Sequence, residues 1–272
     1  MNKETNPITI IVTGCGGDIG LGAGRILKMA GIAQRIVGCD LTPDHAGSAV
    51  FDVCELLPPA SDPTYLLRLG ELVNKVSAQW ILPTSEHELR FLTKSCSKRI
   101  IEGARLLMAN PEALTTGFDK LATARFLEDA GLPFPWTQSV SEGAPREFPC
   151  IIKKRFGSGG RDVALVNEEL APHYQRGRAD DIWQEYLRPD DQEYTCGVFR
   201  SRSGETRSVV FRRTLLEGVT SKGQVVSDPE IESLLRKMAD RLNLRGCINV
   251  QLRLTERGPV VFEINPRRYS TL

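Results

Sequence analysis

Val260-Val-Phe-Glu263-Ile-Asn265-Pro-Arg267 lies near the C-terminus and reads as an apolar strand running into a rigid turn. Glu263 and Asn265 are two residues apart, so on a strand they share one face. Pro266 stiffens the turn behind them, and Arg267 follows where a guanidinium can pair with a transferring phosphoryl group. The next segment upstream, Asn249-Val-Gln251, reads as a neighbouring strand with a third oxygen donor. Gln251, Glu263 and Asn265 are hard ligands suited to Mg²⁺, with Mn²⁺ as the alternative, bridging nucleotide phosphates. A polar sheet face turned to water is the competing reading.

Two earlier segments point the same way. Ile151-Ile-Lys153-Lys-Arg-Phe-Gly157-Ser158-Gly159-Gly160-Arg161 is a strand leaving into a glycine-rich loop. Such a loop can turn its N–H groups towards a triphosphate while a lysine supplies charge; a basic hairpin with a glycine turn is the plainer reading. Trp183-Gln-Glu185-Tyr186-Leu187 is an apolar strand able to offer backbone groups and one carboxylate to an adenine edge, or simply an edge strand.

From 151 onward strands dominate: 151–155, 163–166, 182–186, 194–200, 207–213, 248–254 and 260–264. One helix interrupts them at 228–242, with Asp228 as N-cap and Pro229 at N1. Another helix opens at Asp119-Lys120 and stops at Gly131. Before it the rhythm is βαβαβ: strands at 8–13, 36–40, 80–82 and 105–108, and helices ending at Gly31, over 63–77 with Pro63 at its start, and over 86–95. That alternation implies a Rossmann-like, doubly wound parallel sheet. The fold class is therefore α/β followed by α+β. The first domain covers 1–118, with the boundary in the Asn110–Gly117 linker. The second covers 119–272, with a glycine-loop part over about 119–185 and a metal-site part over about 186–272.

Gly14-x-Gly16 with Gly17, Gly20 and Asp40 invites a dinucleotide-binding reading. The G-x-G-x-x-G fingerprint needs glycine at 19, which is Ile19. A sharp strand-to-helix turn with close packing explains the glycines better.

The chain has 272 residues, with 35 Lys+Arg against 34 Asp+Glu, a formal net charge of +1. That balance argues against a nucleic-acid coat or a polybasic membrane anchor. No apolar run approaches the roughly 20 residues of a membrane span. Seven cysteines without C-x-x-C spacing suit reduced thiols in the cytoplasm rather than a disulfide framework or zinc site.

Taken together, these segments resemble the ATP-grasp superfamily, most closely the half-repeats of carbamoyl-phosphate synthase large subunits and small stand-alone carboxylate–amine ligases. The resemblance covers nearly the whole chain. It implies a pre-ATP-grasp domain carrying Pro83-Thr-Ser-Glu86-His-Glu88-Leu89, then an ATP-grasp domain. It implies nucleotide contacts by Lys120, Lys153, the loop glycines, the Glu185–Leu187 hinge and Glu193, the last on the ribose. It implies metal ligation by Gln251, Glu263 and Asn265, and phosphate binding by Arg267. Arg212, Arg213 and Lys222 are added as basic residues that could hold phosphate or a substrate carboxylate.

The implied activity is ATP- and Mg²⁺-dependent joining of a small carboxylate to an amine through an acyl-phosphate; a homodimer is compatible with it. Phosphorylation of bicarbonate or carbamate with an ammonia-supplying partner, and a non-catalytic ATP-binding module, are the alternatives. Three features depart from the family: Lys154 after Lys153 where Pro is common, Asp162 in the glycine loop, and an end at Leu272, which suggests truncation.

Overall fold

A computed structural model of the chain describes residues 8–157, 162–216 and 219–267. It divides into two compact units, one ending at Met108 and one beginning at Ala109.

The N-terminal unit is a six-stranded sheet in the order β3-β2-β1-β4-β6-β5. Its elements are β1 (Thr9–Thr13), α1 (Asp18–Ala30), β2 (Arg35–Asp40), β3 (Val53–Leu56), α2 (Tyr65–Val76), β4 (Trp80–Leu82), α3 (Glu86–Ser95), β5 (Ile100–Ile101) and β6 (Ala104–Leu106). All pairings are parallel except the β5–β6 hairpin. Strand β1 is buried throughout, which is why it reads as a continuous apolar run. Its side chains alternate between two cores. Ile11 packs with Leu69, Val73 and Leu92 from α2 and α3, whereas Ile10 and Val12 pack with Ile36, Leu82 and α1.

The glycine turn after β1 is held by close packing. A Cβ on Gly20 would lie 2.1 Å from Gly14 O, and one on Gly16 would lie 2.6 Å from His45 Cβ. Asp40, the acid a dinucleotide reading would turn towards a ribose, instead accepts Gly16 N–H at 2.7 Å and Leu41 N–H at 2.7 Å.

The C-terminal unit comprises α4 (Pro111–Phe118), α5 (Lys120–Asp129), β7 (Thr137–Ser139), β8 (Cys150–Lys154), β9 (Ala164–Val166), α6 (Ala171–Gly177), β10 (Asp181–Glu185), β11 (Glu193–Arg200), β12 (Thr206–Leu216), β13 (Val219–Val226), α7 (Pro229–Arg241), β14 (Gly246–Thr255) and β15 (Gly258–Asn265). They form two antiparallel sheets, β7-β10-β8-β9 and β13-β12-β11-β14-β15. Leu235 and Met238 of α7 are fully buried, and α7 packs on β11, β12 and β15. Asp228 caps that helix by accepting Glu230 and Ile231 N–H.

Several elements differ from the sequence expectation. The expected linker at 110–117 is helix α4, with Pro111 at its first turn and Ala113, Leu114 and Phe118 buried. Gly117 marks a close approach rather than a break, because a Cβ there would lie 2.8 Å from Pro266 Cδ and 3.0 Å from Ile264 O. Helix α2 starts at Tyr65, not Pro63, since Asp62 turns the chain by accepting Thr64 N–H. Strands β3, β5, β7 and β13 and helix α6 were not expected. β13 is an edge strand with an exposed Ser-Lys-Gly-Gln stretch, so it lacks an apolar alternation.

Candidate active site

Residues directly opposite across antiparallel strands share a face. The register of the five-stranded sheet therefore sets the site out in rows. Glu193 on β11 lies opposite Arg253 on β14, with Arg213 of β12 on its other side. The next row is Thr195, Gln251 and Glu263, and the third is Gly197, Asn249 and Asn265. The three expected metal ligands thus come to one face of β14 and β15, although Gln251 is 12 positions before Glu263. Asn249, which the sequence reading did not assign, donates to Thr195 Oγ1 at 2.7 Å, and Asn265 donates to Asn249 Oδ1 at 3.5 Å.

A bulge breaks the β14–β15 ladder: Gln251 pairs with Glu263 but Leu252 pairs with Val261, leaving Phe262 extra. Val261 and Ile264 go to the buried side, while the Phe262 ring lies against Lys153 Nζ, 5.4 Å from its centroid. Lys153 extends from β8 and is buried. Burial pushes its ammonium down to about 8, with Glu263 pulling the other way.

Lys120, at the first position of α5, lies 3.6 Å from Glu263 Oε1 and donates to Gly157 O at 2.7 Å. Two further contacts fasten α5 to the base of the glycine loop. Asp119 caps α5 through Leu121 N–H while taking the Arg155 guanidinium, and Lys120 N–H donates to Arg155 O. Asp162, at φ +63°, pairs with Lys154 at 2.7 Å. Ser158, Gly159 and Gly160 lie outside the described residues.

The hinge follows β10. Glu185 Oε1 takes Arg257 at 2.6 Å and its Oε2 accepts Trp136 N–H at 3.3 Å. Tyr186 donates its hydroxyl to Asp190 at 2.5 Å, and Leu187 O accepts Arg253 at 2.6 Å. Arg213 does not project towards a free acceptor: both its Nε and its terminal nitrogen donate to Glu193, at 3.0 and 2.5 Å. Lys222 pairs with Thr214 on the edge strand, one residue out of phase with Arg213, so it belongs to the opposite face. Arg212 is likewise turned away and holds Asp191. Arg267 follows the ligand strand after Pro266 and is partly buried. Arg253 was not anticipated, because its role appears only once β11 and β14 are paired.

The donor set fits a hard divalent cation: three oxygen-bearing side chains in adjacent rows, one of them ionisable, with a lysine ammonium already drawn to Glu263.

The N-terminal unit has a cleft of about 590 Å³ at the carboxyl ends of β1 and β4, lined by Thr13, Asp40, Tyr65, Ser85 and Glu88 among others. Glu88 is buried and accepts the hydroxyls of Thr13 and Tyr65. Burial pushes its carboxyl up to about 6, opposed by those two hydroxyls. Among the described residues no helix is long and apolar enough to cross a membrane.

The chain is 23% identical over 201 residues to the carbamoyl phosphate synthase large chain of Rubrobacter xylanophilus, covering 62% of this chain and 18% of that one. It spans less than two fifths of the length of the curated relatives it matches. In fold it resembles N5-carboxyaminoimidazole synthetase from Staphylococcus aureus complexed with ADP (TM-score 0.77, 19% identity, 99% of this chain and 73% of that one). It also resembles the biotin carboxylase domain of the Hydrogenobacter thermophilus 2-oxoglutarate carboxylase, solved with MgADP, ADP and bicarbonate (TM-score 0.71, 17% identity, 97% and 65%). The model of the ATP-grasp domain matches residues 118–271, more than half of the sequence, and the chain belongs to the ATP-grasp family.

Proposed function

We propose that this protein is an ATP- and Mg²⁺-dependent ligase that activates a carboxylate as an acyl-phosphate for attack by an amine. The observation that carries the reading is the set of rows that brings Gln251, Glu263 and Asn265 together beside Lys153 and Lys120. The MgADP bound by a protein of the same fold supports it.

On this reading the Glu185–Leu187 backbone holds adenine and Glu193 the ribose, while Lys120, Lys153, Arg267 and the glycine loop hold the phosphates. Gln251, Glu263 and Asn265 would hold Mg²⁺, which supplies charge neutralisation at the β- and γ-phosphates. The γ-phosphoryl group passes to a carboxylate oxygen and ADP leaves. An amine then attacks the acyl carbon, phosphate leaves, and the amide remains. Lysine and arginine charges aimed at the phosphoryl oxygens do this by positioning, without a covalent enzyme nucleophile. The seven free thiols suit a reducing cytoplasmic setting, and a homodimer is compatible with this site.

The test is ADP release with a panel of small carboxylates, each with and without amines. Release that needs one carboxylate and rises with one amine is expected. No release under any pairing, despite measurable ATP binding, would sink the ligase reading. The similarity to carbamoyl phosphate synthase favours bicarbonate or carbamate as a second choice of acceptor; ADP release dependent on bicarbonate and ammonia alone would identify it.

A further inference from the structure

We infer that Arg213 and Arg253 are positioning residues that fix Glu193 for the hydroxyls of a nucleotide ribose and so set selectivity for ribonucleotides over their deoxy forms. The inference rests on the ATP-binding reading above and assigns the device that would make Glu193 selective.

Glu193 is the first residue of β11, its side chain only 9% exposed, and it stands between two arginines from the flanking strands. The oxygens are divided between them. Oε1 takes both Arg213 donors at 3.0 and 2.5 Å, and Oε2 takes Arg253 at 2.5 Å. A carboxylate oxygen has two lone-pair directions, so Oε2 keeps capacity for another hydroxyl. Two guanidinium cations on one carboxylate exceed what neutralising Glu193 requires.

Arg253 also reaches the hinge. Its other terminal nitrogen donates to Leu187 O at 2.6 Å and Asp190 Oδ1 at 3.0 Å. One planar guanidinium thus ties the start, middle and end of the 187–193 segment, the stretch joining the adenine and ribose positions. A lysine, with a single nitrogen, could not span those three points in the same way. The Nε of Arg253 is buried with no hydrogen-bond partner among the described residues. An unsatisfied buried N–H is costly and is retained where function constrains the side chain.

The test compares dissociation constants for Mg·ATP and Mg·2′,3′-dideoxy-ATP by calorimetry, in the wild type and in Arg253→Met, Arg253→Lys and Arg213→Met. The wild type is expected to prefer ATP by about tenfold or more, the scale of hydrogen bonds to a charged group. In Arg213→Met the ratio should fall to within about threefold, through loss of ATP affinity with dideoxy-ATP little changed; in Arg253→Met the ratio should fall likewise while both affinities also drop, because the hinge is released with the carboxylate, and Arg253→Lys should lie between. A merely structural role would weaken both nucleotides together, and an unchanged ratio overturns the inference. If either methionine variant fails to fold, Arg253→Lys and Arg213→Lys carry the same comparison. Wild-type protein that binds ATP without discriminating overturns this inference alone. Wild-type protein that binds neither nucleotide overturns the ATP-binding reading and this inference with it.

Discussion

Lys120 and Lys153 both approach Glu263, and the three side chains have different exposures and duties. Lys153 is buried over an aromatic ring, whereas Lys120 and Glu263 keep 11% and 16% of their side chains exposed. Removing the Lys153 charge should therefore not destabilise the fold, because burial costs that ammonium more than Glu263 returns to it. Lys153→Met is expected to leave the unfolding midpoint unchanged or raised while ATP affinity falls by about tenfold or more, read by titration calorimetry. Unchanged affinity would count against the lysine as a phosphate ligand. Glu263→Ala should reduce Mg·ATP-dependent ADP release by at least about a hundredfold, with the circular dichroism spectrum retained. Activity surviving that change would remove Glu263 from the metal site. The donors Glu263 and Asn265 were legible in the sequence because two-residue spacing before a proline is a local pattern. Arg253 and Asn249 were not, because their partners are 60 and 54 positions away in the chain.

Among the elements, long periodic helices and buried strands could be read from sequence, and short or exposed ones could not. Helix α7 carries both its cap and its apolar face in its own residues. Strand β13 has no buried side chain among its described residues to announce it, and β7 has only three residues, paired to β10. Helix α4 was hidden by Gly117, whose reason is the Pro266 turn 149 positions later. The turn from β1 into α1 makes the opposite point, since its glycines look like a ligand fingerprint and serve packing. Gly20→Ala would put a methyl 2.1 Å from Gly14 O. It is expected to destabilise the N-terminal unit by about 2 kcal/mol or more in denaturant unfolding. A variant as stable as the wild type would mean the turn is not held by this contact.

At the scale of the molecule, the α/β-then-α+β order follows from where the period of the apolar residues changes, near the start of α5. What sequence could not supply is the buried acid of the N-terminal unit. The Glu88 carboxyl is raised to about 6 in the folded chain from an ordinary 4.5, so the folded state holds its proton more tightly. That contribution to stability is complete below about pH 4.5 and is lost as the pH rises through about 6; it amounts to about 2 kcal/mol. Glu88→Gln should flatten the dependence of stability on pH between 4.5 and 7, and a wild-type slope kept by the variant would assign the effect elsewhere. In the other unit, Phe262 is supernumerary to the ladder, because Val261 and Glu263 already alternate correctly against Leu252 and Gln251. Deleting that one codon would leave the hairpin shorter by a residue and every neighbouring pair in phase. The expected loss is the aromatic cushion against Lys153, so that ligand affinity at this position would change without a change of strand register.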